Sequence, residues 1–304
     1  MNWFFLALIG PILWSIVNHL DKYLLEKYFK HGGTGALMIF SSLIGILVVP
    51  LIYFFHPEVW DISLINKLLM IFVEILSTIA LWFYFKSLEK DEASVVVPFY
   101  QLIPVFGYMF GYLMLGETLT IQQLLSMVLI ISGASIISFE IDEENKFRLK
   151  KQTVFFMLSS VVLIAFSDVL YKKVAIAESF WSSTFWAYVG LGIIGVLIFS
   201  LNKNYRKEFL STFKENNFKI IGLNGFNEII TIIGNLCTAF SYLLVPITLV
   251  LMVNSFQPVF VFFFGILITL FVPKLSAEKI TLMHLSQKIL AILIMGAGTY
   301  LLFV

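Results

Sequence analysis

Long runs without charge constrain this chain more than any other feature of its sequence. Trp3 to Leu20, Ala36 to Phe55, Leu102 to Leu115, Leu124 to Phe139 and Val245 to Val272 contain no Asp, Glu, Lys or Arg. A helix that crosses a bilayer needs about 20 predominantly apolar residues, and several of these runs are that long. Composition agrees with the runs. Of 304 residues, 60% are hydrophobic and 13% charged, against about 25% charged in soluble domains; the mean hydropathy is +0.94. Disorder is excluded, and so is a secreted disulfide scaffold, because Cys237 is the single cysteine. Twenty Lys and Arg against 19 Asp and Glu leave a net charge of +1 with no basic arm, which excludes a nucleic-acid binder. The chain reads as an all-α integral membrane protein.

Apolar windows separated by charged or turn-rich breaks number ten, at about 3–21, 35–55, 67–87, 93–115, 121–139, 153–173, 181–201, 219–242, 245–272 and 286–304. The first has no basic residue before it and no small-residue cleavage site, so it reads as a retained helix. The odd-numbered connections carry 17 of the 20 Lys and Arg, the even ones only Lys67, Lys172 and Lys173. Basic residues favour the cytoplasmic side, so this bias places both termini outside. Between windows seven and eight, Tyr205, Phe209 and Phe213 recur four apart among Lys and Arg. That spacing suits a short helix lying on an anionic leaflet, or a solvated basic loop.

The two halves repeat. A shift of 154 residues pairs Glu74 with Glu228, Ser87 with Ser241, Pro104-Val105-Phe106 with Pro258-Val259-Phe260, and Gly111 with Gly265. A shift of 150 pairs Asn18 and Lys22 with Asp168 and Lys172. Glutamate and proline are rare in membrane helices for physical reasons, so their coincidence at one offset carries weight. Each unit, 1–145 and 150–304, then holds five helices. An odd number of crossings makes the second unit enter from the opposite side. The expected architecture is ten transmembrane helices in two inverted five-helix repeats, as in secondary transporters.

The run Ala93-Ser94, Pro98, Pro104, Gly111, Gly116-Glu117-Thr118-Leu119-Thr120 and Gly133, after a first helix carrying Trp14, Asn18 and Lys22, resembles the EamA-type branch of the drug/metabolite transporter superfamily. The resemblance implies a ten-helix carrier whose termini are cytoplasmic, opposite to the lysine bias. The chain departs from the family pattern at Thr118, where a basic residue is frequent, and at Pro273-Lys274-Leu275, where Glu278 is the nearest acid.

An ionisable group at membrane depth is costly unless it faces a polar interior. Glu74, Asp168 and Glu228 are therefore the leading candidates for binding a solute or a proton. In window eight, Asn224, Asn227, Glu228, Thr231, Asn235, Thr238 and Tyr242 recur at steps of three and four, which puts them on one face. Such a stripe lines a cavity or hydrogen-bonds neighbouring helices; with Glu228 in it, cavity lining is favoured. Prolines 98, 104, 246 and 258 free backbone carbonyls, and beside them Tyr100, Gln101, Asn254, Ser255 and Gln257 are expected to face the cavity. Asn18, Trp14, Trp82 and Tyr84 are further lining candidates. Asp168 and Lys172, four apart, have a simpler reading as a pair that neutralises itself. Gly107 and Gly111 read as a close-packing pair.

Small-molecule transport driven by a gradient, with protons as a candidate coupling ion, is the function expected from these features. Export of an amino acid, an amine or a related metabolite across the cell membrane fits best, with no cofactor, no metal and no catalytic residue. The partners expected are the solute, membrane lipids and, for the protein itself, a monomeric or homodimeric state. Alternatives are a lipid-linked flippase or an intramembrane lipid-modifying enzyme. Against an enzyme, no His-Glu-x-x-His, Gly-x-Ser-x-Gly or Cys/His cluster occurs, and His19, His31, His56 and His284 are scattered. No filter-like repeat suggests a channel.

Overall fold

The computed structural model describes residues 2–28, 34–88, 96–138, 151–271 and 282–304. These residues are helical throughout, with no strand among them. The first half contains α1 (Asn2–Tyr28), α2 (Thr34–Phe55), α3 (Leu64–Leu88), α4 (Ile103–Leu115) and α5 (Ile121–Ser138). The second contains α6 (Lys151–Ala177), α7 (Phe180–Leu201), α8 (Lys203–Ser241), α9 (Ile247–Asn254), α10 (Gln257–Phe271) and α11 (Leu282–Phe303). Short 3-10 turns occupy Pro57–Trp60 and Val97–Leu102. Ala93, Ser94, Lys274 and Glu278 lie outside the described residues, as do several basic residues of the connections.

Apolar side chains cover the outside of this bundle and polar ones sit within it. Leu47, Phe54, Ile121 and Phe271 are exposed, whereas Gln101, Ser160, Asn227 and Thr238 are buried. That inversion is what lipid demands, and the chain is a multi-pass membrane protein. Among the described residues, seven spans are long and apolar enough to cross a bilayer, including one that runs through α9 and α10. The expectation of ten is not reached on length and composition alone. The 3-10 turn and proline shorten the fourth window to a 13-residue α4, α5 is a shorter apolar helix, and α8 mixes its apolar residues with Asn, Thr and Lys.

Local sequence explains where the helices start and stop. Gly116 ends α4 in the left-handed conformation, φ 67°, which costs glycine nothing. Thr120 and Gln123 then open α5 as a reciprocal capping box: Thr120 N donates to Gln123 Oε1 at 2.9 Å and Gln123 N to Thr120 Oγ1 at 3.2 Å. Asn202 caps α8 by accepting from the amides of Asn204 and Tyr205, both at 3.1 Å. The basic stretch expected to be a separate surface helix or loop is instead the start of α8, which runs unbroken for 39 residues. No residue between 203 and 219 is a proline or glycine that would stop it.

The halves interlock. α3 packs on α6 and α1 on α8; α2 packs on α7 and α5 on α11; α3 also meets α7, α2 meets α8, α4 meets α6 and α9, and α1 meets α9 and α10. The α5–α11 contact is close because it is built on glycines. A Cβ at Gly133 would stand 2.7 Å from the Ala291 carbonyl oxygen, and one at Gly298 2.9 Å from Leu129 Cβ. Gly107 and Gly111 play the packing role read from their spacing: added Cβ atoms would strike Leu251 and Ile247 of α9.

Gly133→Leu should destabilise the protein by about 1–3 kcal/mol through overpacking, seen as a lowered midpoint of thermal unfolding in detergent. At the other end of the bundle, Glu178 accepts hydrogen bonds from Asn66 Nδ2 at 2.6 Å and Ser63 N at 3.3 Å. These bonds, the Asn66 one foremost, hold its carboxyl below the ordinary 4.5. A depressed acid is ionised, and its clasp intact, down to pH values below 4.5, and the clasp releases as pH falls further. Carboxyl carbon titration by NMR should show this, with Asn66→Ala returning Glu178 toward its ordinary value.

Candidate functional site: a cavity between the two halves

Two breaks in the helical backbone face one another inside the bundle. In the first half the chain turns through 3-10 geometry at Val97–Leu102 and resumes as α4, with Pro104 second in that helix. In the second half α9 stops at Asn254, a turn occupies Ser255 and Phe256, and α10 resumes with Pro258 second. Proline fits the first helical turn, where its missing donor leaves no bond unmade. The breaks flank a cavity of about 830 Å³. Tyr100, Gln101, Asn254, Ser255 and Gln257 all line it.

The acids of the cavity come from different halves. Glu74 on α3 and Asp168 on α6 both line it and lie within electrostatic reach of each other. Asp168 accepts a hydrogen bond from the Tyr242 hydroxyl. Tyr171 and Thr184 share a hydrogen bond of 2.6 Å beside them. On the opposite wall, Trp14 Nε1 donates to Asn235 Oδ1 at 2.9 Å, tying α1 to α8. Ser15 and His19, on the same helix as Trp14 and Asn18, reach the carbonyls of Gln257 at 3.1 Å and Val261 at 2.9 Å. Both carbonyls belong to the first turns of α10, so these contacts tie α1 to the helix that resumes after the break.

Thirteen residues expected to line a cavity meet in this one: Trp14, Asn18, Glu74, Tyr84, Tyr100, Gln101, Asp168, Asn235, Thr238, Tyr242, Asn254, Ser255 and Gln257. Asn224, Asn227, Glu228, Thr231 and Trp82 do not line it. Glu228 is buried against α2, where Ser41 hydrogen-bonds to it. Asn227 donates to Asp21 Oδ1 at 2.6 Å, and Thr231 Oγ1 donates to the Asn227 carbonyl one turn back at 3.0 Å. The polar stripe of α8 thus divides. Asn235, Thr238 and Tyr242 face the cavity, while Asn224, Asn227 and Glu228 pack among α1 and α2. Trp82 is 41% exposed on the outer face, with Lys86 Nζ 6.0 Å from its ring centroid.

Lys172 corrects the self-neutralising reading of its pairing with Asp168. Its buried ammonium forms an ion pair with the half-buried Glu117 and donates to the Val245 carbonyl at 2.6 Å. Glu117 Oε2 also accepts the Ile247 amide at 2.8 Å. One ion pair therefore satisfies the backbone on both sides of Pro246 and joins the α4–α5 turn to α6 and α9.

Other lining residues had no reading in the sequence. Thr184, Ala187, Tyr188 and Leu191 of α7 face the cavity; their spacing of three, one and three marks a helical face that could have been found. Lys288, counted with the loops for orientation, lies on α11 at the cavity wall, its Nζ 4.0 Å from the Phe262 ring centroid. Nothing in its local sequence signals that place.

Residues 1–139 match the model of the EamA-like transporter family. Over this stretch, a little under half of its length, the chain is similar to that family. The EamA-like unit ends one residue beyond α5, so α1–α5 and Glu117 fall within the match and α6–α11 outside it. Over 139 residues the chain is 30% identical to an uncharacterized transporter of Archaeoglobus fulgidus, an alignment covering 43% of this chain and 47% of that protein. The chain thus matches about half the length of this curated relative. A crystal structure of another protein shares the fold over the whole chain, with a TM-score of 0.71, 13% identity, and 99% and 96% of the two chains covered.

Because the ion pair links the EamA-like unit to the second half, removing one partner strands a buried charge. Lys172→Met or Glu117→Gln alone should cost about 3–5 kcal/mol. The double variant should recover much of that loss in thermal unfolding, which a merely additive effect would not do.

Proposed function

We propose that this chain is a secondary transporter of a small organic solute, working by alternating access at the cavity between its two halves. The observation that carries this reading is the cavity itself: an acid from each half and a helix break from each half converge on one space. Carriers place substrates where discontinuous helices meet between repeats.

The reading includes ten transmembrane segments arranged as inverted repeats, 1–145 and 150–304. Helix packing supports it. Exchange α1 with α6, α2 with α7, α3 with α8, α4 with α9–α10 and α5 with α11. The set of major contacts then maps onto itself: α3 on α6 becomes α8 on α1, α3 on α7 becomes α8 on α2, and α4 on α6 becomes α9 and α10 on α1. Pro104 and Pro258, paired by the sequence repeat, each stand second in the helix after a break, which fits the same exchange.

Proton exchange is the proposed source of drive. Two carboxylates beside one another in a half-buried cavity wall at membrane depth strongly disfavour being charged together without a compensating cation. Glu74 and Asp168 can therefore trade a proton for a positively charged part of the solute. Glu228 sits outside this cavity and is assigned to a second polar cluster with Asp21. The direction proposed is export across the cell membrane, by a monomer or homodimer, with lipid as the only other partner.

Reconstitution tests the proposal. Purified protein in proteoliposomes should show counterflow of at least one solute from a panel of amino acids, amines and nucleobases. Counterflow should fall at least tenfold in Glu74→Gln and Asp168→Asn, while Glu228→Gln separates the two polar clusters by retaining it. Chemical turnover of a lipid without any counterflow would replace the carrier with an enzyme. Lipid movement between leaflets without solute counterflow would make it a flippase. A cysteine at Lys207 reacts with an impermeant thiol reagent applied outside only if the basic end of α8 is extracellular.

A further inference from the structure

We infer that the cavity selects organic cations with N–H donors, a class narrower than small solutes in general; this rests on the carrier reading above. The inference comes from counting what the cavity offers. Its acids, Glu74 and Asp168, line it without a Lys or Arg partner among the described residues. Asp168 accepts from the Tyr242 hydroxyl, and its two oxygens retain capacity for more than one further donor. Two amide oxygens in the same lining, Gln101 Oε1 and Asn254 Oδ1, are buried with no hydrogen-bond partner. Gln101 as a whole is 5% exposed. The two come from the backbone breaks of opposite halves.

The two carboxylates, when ionised, only accept hydrogen bonds, and each amide adds a buried acceptor oxygen beside its donating NH2 group. A buried acceptor left unmatched costs about 1–3 kcal/mol, so the lining is complementary to a ligand that brings donors and positive charge. An ammonium brings three donors; a carboxylate brings none. The walls point the same way. Trp14, Tyr84, Tyr100, Tyr171, Tyr188 and Tyr242 all line the cavity, and aromatic faces attract cations most where water is excluded. Among the described residues Lys288 is the one lysine or arginine in the lining, its ammonium 4.0 Å from the centroid of the Phe262 ring, which lines the cavity too. A zwitterion would need this lysine for its anionic end and a simple cation would not, so its substitution separates the two classes.

A size-matched series tests the class: phenethylamine as cation, phenylalanine as zwitterion, 3-phenylpropionate as anion and 3-phenylpropan-1-ol as neutral. Binding to the full chain in detergent is measured by calorimetry, and counterflow in proteoliposomes separately. Phenethylamine is expected to bind at least tenfold more tightly than the anion and the alcohol, and more tightly than phenylalanine. In Asp168→Asn or Glu74→Gln the preference over the alcohol should shrink below about threefold, while Asp168→Glu retains it. Unfolding midpoints report whether the variants are folded, and the wild-type series decides the question without them. Tighter binding of phenylalanine that is lost in Lys288→Met would overturn the cation class in favour of zwitterions. Equal binding of cation and alcohol would overturn it outright. Counterflow without cation preference leaves the carrier reading standing and sinks this one; cation-selective binding without counterflow of any solute does the reverse.

Discussion

Within a bilayer, a backbone amide or carbonyl without a partner has no water to turn to. Everything distinctive about this molecule follows from where it lets that rule lapse. Helical backbone is interrupted within the bundle at residues 97–102 and 255–256, and both interruptions face the same cavity. Each resuming helix carries proline in its first turn, where no donor is missed, and α1 holds the second of them through Ser15 and His19. The cavity lies where the two interrupted helices meet.

The same logic explains the ion pair at Pro246. Proline breaks the run from α8 into α9 and exposes a carbonyl before it and an amide after it. Lys172 takes the one and Glu117 the other, each also neutralising its partner. A buried pair of this kind adds little stability over a well-packed apolar contact. What it contributes is register: only one seating of the α4–α5 turn against α6 and α9 satisfies four groups at once. Tyr171, next to Lys172, is thereby fixed at the cavity wall.

Much of this was legible in the sequence because lipid simplifies the reading. Apolar runs mark helices, and an acid within one must face inward, which brought Glu74 and Asp168 to the cavity. The prolines at 104 and 258 located both breaks. Periodicity is weaker, since a helical stripe names a face without naming its neighbour. Asn235 and Glu228 share a stripe on α8, yet α8 is long enough that one meets the cavity and the other meets α1 and α2. Trp82 shows the same ambiguity from the other side, because tryptophan suits lipid as well as a pocket. The partner of Lys172 was out of reach for a different reason. Glu117 lies 55 residues earlier, and only the three-dimensional fold joins them. Orientation stands where the lysine bias and the family resemblance left it, and two of the lysines counted for it, Lys172 and Lys288, serve the interior.

α8 has one more consequence. At 39 residues and 1.5 Å per residue it is about 58 Å long, nearly twice the roughly 30 Å hydrocarbon thickness. It contains no proline and no break along that length. The helix therefore joins the basic residues around Lys203 and Arg206 and the cavity residues Asn235 and Thr238 in one continuous element, with no proline between them to act as a hinge.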